Sequence, residues 1–321
     1  MLRSLIYGIA LTLFFVVASL IYILKKSVSK DILVVFFHID KGYLFLSVFA
    51  IFLYHTFDNL RLFVLSRAMN LRYSFFYGYV ISLINTFGAT ITPAHMGGEF
   101  MSLYTLSRKG GRFHKVMSIV TMKTLTGMAF FLLAFPYVLF YLYKHPKTSL
   151  RILTILVLFF LAFFAFYLVF KVLSKRKSVE NSKITQKIKY TLKRYVVVSR
   201  MFLKDKKFSL LMASVSSIFL YVCFLASGAF LVKGLNADAS FFKAIEHQLM
   251  LLYAIFLSPT PGGSGVGEVG AFYAFDVFLD VGLLGGFSIL WRFITQYLSA
   301  LMGGFLLIFL IFKDSKRLKN A

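Results

Sequence analysis

The stretch Thr92-Pro93-Ala94-His95-Met96-Gly97-Gly98-Glu99 interrupts an apolar region. A looser copy, Thr260-Pro261-Gly262-Gly263-Ser264-Gly265-Val266-Gly267-Glu268, interrupts another about half a chain later. The offset is 168 residues at Thr-Pro and 169 at the glutamate. In each half the 24th residue after the glutamate is a cation, Lys123 in one and Arg292 in the other. Proline removes a backbone donor and glycine is a poor helix former, so both segments break helices. Acids and bases are costly inside a bilayer. A chain that carries the breaker, the acid and the base twice at matching intervals is predicted to build one site from two related halves.

The surroundings of these segments are those of a membrane protein. Hydrophobic residues make up 59% of the 321, and 40 residues are phenylalanine. The mean hydropathy is +0.80. These values lie outside the soluble globular range and give a polytopic membrane protein. The longest polar stretch, about 174–207, is too short for a soluble catalytic domain. A net charge of +24 raises nucleic acid as a partner, but the cations sit mainly in loops between apolar runs. A basic face on an anionic membrane accounts for that pattern, and no nucleic-acid partner is expected. Cys223 is the only cysteine, which excludes an internal disulfide and a thiolate metal cluster. Arg3 and the apolar run Leu5–Leu24 have the outline of a signal peptide. The run is long enough to span, and no small-x-small cleavage pattern follows it, so it reads as a retained first helix.

About 20 apolar residues cross the hydrocarbon core. Six runs meet that length, at roughly 4–24, 43–65, 116–143, 151–171, 208–232 and 287–312. The two interrupted regions, about 74–105 and 241–284, read either as single kinked spans or as hairpins that enter the membrane and return. Charge decides between them. With a cytoplasmic N-terminus and two re-entrant hairpins, two-thirds of the 36 lysines and arginines fall on the cytoplasmic side, including those from Lys171 to Lys207 and in the C-terminal tail. Two full spans would put that segment and the tail on opposite sides, against the positive-inside bias. The expected fold is therefore all-α, with six transmembrane helices and two oppositely oriented re-entrant helical hairpins. It forms a single membrane domain over 1–321 as an inverted-topology repeat, at about 43–143 and 208–312. Both termini would face the cytoplasm, in the cell membrane. Within 174–207, apolar residues recur at helical spacing among basic ones, as a basic amphipathic helix on the inner leaflet would show. A solvated helical linker is the competing reading.

The same residues carry a family resemblance. Leu60-Arg61-Leu62-Phe63-Val64-Leu65, then Thr92-Pro93 with Gly97-Gly98-Glu99, then Pro261 through Glu268, then Leu290-Trp291-Arg292-Phe293-Ile294-Thr295, follow one another along the chain. Together they resemble the flippase-like membrane domain of lysylphosphatidylglycerol synthases and its stand-alone relatives. The similarity runs over nearly the whole chain and is sharpest in the Pro-Gly-Gly-x-Gly-x-x-Glu pattern of the second segment. The first segment is looser at His95 and Met96, and Lys123 stands where the family more often has arginine. In the two-part members a soluble aminoacyl-transferase domain makes the lipid and the membrane domain moves it. No such soluble part is present in this sequence. The resemblance thus implies lipid translocation without synthase activity, and it leaves the lipid unnamed.

Site residues follow from both lines of reasoning. Pro93, Gly97 and Gly98, with Pro261, Gly262, Gly263 and Gly265, would expose backbone N–H donors and half-helix N-termini to an anion such as a lipid phosphate. The competing role is a kink or close helix packing. Glu99 and Glu268 would bind a headgroup amine, take up a coupling proton or pair with a cation; the competing role is helix capping. Lys123 and Arg292 would hold the phosphate or neutralise a glutamate, Arg292 being the better bidentate ligand. Snorkelling to the membrane surface competes with that role for both. Asp58 and Arg61, three apart, read as a structural ion pair near the end of a span. His95 and His247 are isolated, so no metal is expected, and no cofactor motif is found. Glu246 and Asp276 have no first-half counterparts. The expected partners are membrane lipids: an anionic or zwitterionic phospholipid, or a polyprenyl-phosphate-linked lipid. A lipid-synthesis enzyme is a further candidate partner. Two rival functions stand beside translocation: an integral-membrane enzyme acting on a lipid-linked phosphate or sugar, and a non-transporting scaffold subunit.

Overall fold

A computed structural model describes residues 34–93, 95–144 and 195–319. The expected spans 4–24 and 151–171, and most of the basic segment, lie outside these residues. The described residues are helical, with a single isolated β-bridge and no sheet. In chain order the helices are α1 (Val34–His38), α2 (Lys41–Ala68), α3 (Phe75–Thr90), α4 (Met96–Ser107), α5 (Phe113–Lys144), α6 (Lys207–Leu235), α7 (Phe241–Leu257), α8 (Val266–Ala274), α9 (Val281–Arg292) and α10 (Leu298–Lys319). A π-turn over Phe293–Tyr297 joins the last two. Among the described residues, four helical stretches are long and apolar enough to cross a membrane: Lys41–Ala68, Phe113–Lys144, Lys207–Leu235 and Val281–Ser315.

Helix starts follow local chemistry. Asp40 caps α2 by accepting from the Gly42 and Tyr43 N–H groups, and Ser74 and Ser240 cap α3 and α7. The long helices α2 and α6 pack side by side and antiparallel. Ser47 meets Ser227 at 2.8 Å, Arg61 Nη1 donates to Ser217 at 3.3 Å, and the Asp40 N–H donates to Gly234 at 2.8 Å. Small polar residues let two apolar helices approach closely where lipid provides no hydrophobic drive.

Each Pro/Gly segment reverses the chain. The Asn85 amide donates to Gly98 O and to Ser102, both at 2.8 Å, and the Tyr77 hydroxyl donates to Thr105 O at 3.1 Å, so α3 and α4 lie antiparallel. The second pair does the same: a Cβ on Gly270 would lie 2.4 Å from Leu251 and one on Gly263 would lie 2.6 Å from Ile255. A single kinked span would run on in one direction at each segment, and neither does.

Ion pairs and apolar clusters gather the connections at two ends. At one end Arg108, after α4, pairs with Asp314 of α10. Leu71, Tyr73, Leu106 and Val116 share a cluster with Phe202 there. Residues 195–205 are helical. They bury Phe202 and turn Val198 and Met201 to the protein, while Val196 and Leu203 stay exposed. The packed face is thus narrower than the apolar stripe in the sequence. At the other end Asn236 donates to Phe278 O at 2.8 Å, and Val35 and Ile39 join the cluster around Phe275 and Leu284.

A charged junction between two hairpin tips

The two helix breaks touch. Pro93 and Pro261 form an antiparallel bridge, and the Gly262 N–H donates to Thr92 O at 3.4 Å. Gly262 has φ +58°, and a Cβ there would lie 2.8 Å from Thr90 Cα. Only glycine reconciles that backbone angle with that approach. Gln296, in the π-turn, donates to Thr90 Oγ1 at 3.0 Å and to Gly262 O at 3.2 Å. One amide thereby ties both tips to the last long helix. Gly97 serves a different end: a Cβ there would lie 2.5 Å from Gly88 O, so it lets α4 close on α3. Gly98 faces Asn85 across the same hairpin.

Beside the junction, Glu268 and Arg292 are each 1% exposed. Arg292 Nε donates to Glu268 Oε1 at 3.3 Å, and an Arg292 Nη2 hydrogen bond reaches Gly262 O. The Tyr297 hydroxyl also donates to Glu268 Oε1. Glu268 Oε2 accepts from the Gly265 N–H at 2.5 Å, capping α8 from within its first turn. Capping and pairing therefore occur in one side chain. The π-turn brings Gln296 and Tyr297 to the same side as Arg292, a device that often marks functional positions in helices.

The first half is arranged differently. Glu268 is the third residue of its helix, but Glu99 is the fourth of α4, which begins at Met96. One residue turns a side chain by roughly 100°, and Glu99 makes neither a cap nor an ion pair among the described residues. Its Oε2 is buried without a hydrogen-bond partner. Lys123, 2% exposed, lies 3.4 Å from Asp58 of α2. The matching interval does not, therefore, bring Lys123 onto Glu99.

Asp58 and Arg61 form the expected ion pair, in a different place. They lie in the body of α2, buried, rather than near a span end. Asp58 Oδ1 receives Arg61 Nη2 at 2.5 Å as well as Lys123, and Oδ2 receives the Ser82 hydroxyl at 2.6 Å. His55 lies 2.9 Å from Ser82 Oγ through Nδ1 and 2.8 Å from Ser299 through Nε2. Ser82 spends its one proton on Asp58, so it accepts from His55 Nδ1, and a neutral ring then accepts from Ser299 at Nε2. Sequence reading missed this network, although His55, Asp58 and Asn59 in an otherwise apolar span are the signal for it. His95 has φ 59° at the first tip and stacks on Phe256 at 5.4 Å. Its buried Nδ1 has no hydrogen-bond partner. No group of three potential metal ligands occurs among the described residues.

The family model described as the lysylphosphatidylglycerol synthase TM region matches residues 5–303. The chain belongs to that family. A relative described as a UPF0104 membrane protein, from Archaeoglobus fulgidus, is 25% identical over 278 residues, which cover 81% of this chain and 84% of the relative. The match takes in both hairpins, α2 and the Arg292 helix. The buried charges just described all lie inside it.

Proposed function

We propose that this chain translocates a lipid headgroup across the cell membrane along a polar path between the two hairpin tips. The observation that carries the reading is the meeting of two helix breaks beside the buried Glu268–Arg292 pair. A charged headgroup resists crossing because its desolvation is costly. Fixed polar groups along the path replace its water while the acyl tails remain in hydrocarbon. The substrate class is a phospholipid or a polyprenyl-phosphate-linked lipid. The reading gives the chain no bond-making step and accommodates a lipid-synthesis enzyme as partner.

The membrane arrangement is part of the proposal: six spans, two re-entrant hairpins, and two halves inverted relative to each other. Helix length supports it. The 16 and 12 residues of α3 and α4 reach about 24 and 18 Å at about 1.5 Å per residue, short of a hydrocarbon core of about 30 Å. The antiparallel course of α2 and α6, and the antiparallel bridge of Pro93 with Pro261, are what an inverted repeat produces between equivalent elements. The end that holds Arg67, Arg72, Arg108, Lys109 and Arg112 is assigned to the cytoplasm. In a Cys223→Ser background, cysteines at Arg112 and Lys204 should react with an impermeant thiol reagent from the cytoplasmic side, and one at Ala237 from outside. Labelling of positions 112 and 237 from the same side removes the topology.

Translocation itself is tested in liposomes holding the purified chain and a fluorescent phospholipid, with reduction of outer-leaflet probe as the readout. Glu268→Gln should abolish most of the protein-dependent exchange and Glu99→Gln nearly as much. Unmodified rates in both variants would transfer the chain to a scaffold role.

A further inference from the structure

The two halves pair their buried charges differently, and the difference identifies a ligand site. In the second half one cation meets one carboxylate, Arg292 with Glu268, and Arg292 also bonds Gly262 O. In the first half two cations, Arg61 and Lys123, share the single carboxylate of Asp58. Asp58 Oδ1 takes both cations and Oδ2 takes Ser82. Lys123 forms no other ion pair among the described residues, although an ammonium carries three donors. Arg61 is 8% exposed, and its Nε is buried without a hydrogen-bond partner. Buried charged donors without acceptors are costly unless a ligand satisfies them.

We infer that Arg61 and Lys123 form an anion subsite for the phosphodiester of a lipid headgroup, with Asp58 as the positioning residue that holds both cations. This rests on the translocase reading and deepens it. The ligand expected is a phosphodiester. Its two non-bridging oxygens suit the unpartnered Arg61 Nε and the Lys123 ammonium, which has more protons than its one contact with Asp58 uses. Arg292 Nε and Nη2 are bonded at the junction, where the side chain serves to lock the tips. Glu99 makes no ion pair among the described residues, so it satisfies neither cation directly.

The test uses the full chain in an uncharged maltoside detergent, followed by thermal melting. Dihexanoyl-phosphatidylglycerol should raise the melting temperature saturably. Dihexanoylglycerol, which lacks the phosphate, should not, and inorganic phosphate should act only at far higher concentration. Lys123→Met should weaken the phospholipid response about ten-fold or more, as loss of a charge-assisted hydrogen bond implies. Its ligand-free melting temperature should equal or exceed that of the unmodified protein, because a balanced Asp58–Arg61 pair remains. Lys123→Arg should retain binding. An equal response to dihexanoylglycerol, or unchanged affinity in Lys123→Met, overturns the subsite. A ligand-free Lys123→Met that melts well below the unmodified protein makes the lysine a structural partner and also overturns it. Inorganic phosphate competing at the concentration of the lipid overturns the lipid source. The liposome assay separates the two ideas. Phosphate-dependent binding without translocation removes only the translocase reading, and full translocation by Lys123→Met with unchanged affinity removes only the subsite.

Discussion

Arg292→Ala is expected to lower stability by about 3–5 kcal/mol, the usual cost of removing one partner from a buried ion pair. The side chain is 1% exposed and lies against Gly267, where a Cβ would sit 2.6 Å from its guanidinium carbon. Removing it leaves Glu268 buried, with only the Tyr297 hydroxyl and the Gly265 N–H to support its charge. It also removes the Arg292 bond to Gly262 O, so the second tip keeps only the Gln296 bond at that carbonyl. The bilayer does not relieve the cost, because the charge is enclosed by protein. Melting in detergent measures the loss, and liposome exchange should fall with it. Adding Glu268→Gln should recover part of the stability, since the stranded charge goes, while exchange stays low. That non-additivity is the signature of coupled residues. An Arg292→Ala protein that melts with the unmodified one would show that the pair does not hold the junction.

Gly303→Ala should be comparably damaging, at about 1–3 kcal/mol or more, by overpacking. A Cβ at Gly303 would lie 2.0 Å from Leu83 O and 2.5 Å from Leu83 C, which are backbone atoms of α3. No rotamer change relieves such a clash, so α10 and α3 must separate. α3 carries Thr90 to the tips, and the helix that continues into α10 carries Gln296. Separation breaks the 3.0 Å hydrogen bond between these two side chains before it disturbs the rest of the junction. Gly304→Ala is the control: its Cβ would meet the Phe87 ring at 3.1 Å, and a ring can turn aside. Gly303→Ala should lower the melting temperature and abolish exchange, with Gly304→Ala milder in both. Equal effects of the two would mean that close backbone approach of α3 and α10 is not what positions the tips.

The sequence by itself determined the class of the molecule and the places where its helices break. Apolar runs of spanning length leave helix as the economical backbone state in lipid, and Thr-Pro with clustered glycines ends a helix wherever it stands. The paired Glu268 and Arg292 were also legible, because a local capping position and a fixed 24-residue interval specify them. Partner choice in the first half was not legible. Glu99 stands one helical position later than Glu268, and that rotation, invisible in a loose motif match, leaves it without an ion pair. Lys123 found Asp58 instead because α2 and α5 bring together residues 65 positions apart, a relation that no local periodicity encodes. The same holds for Arg61 with Ser217 and for His55 with Ser299, which are joined across 156 and 244 residues. Local chemistry fixes where a helix starts, bends and stops. Which buried charges meet is decided by how the helices pack, and a membrane interior enforces that choice because unpaired charge there is costly.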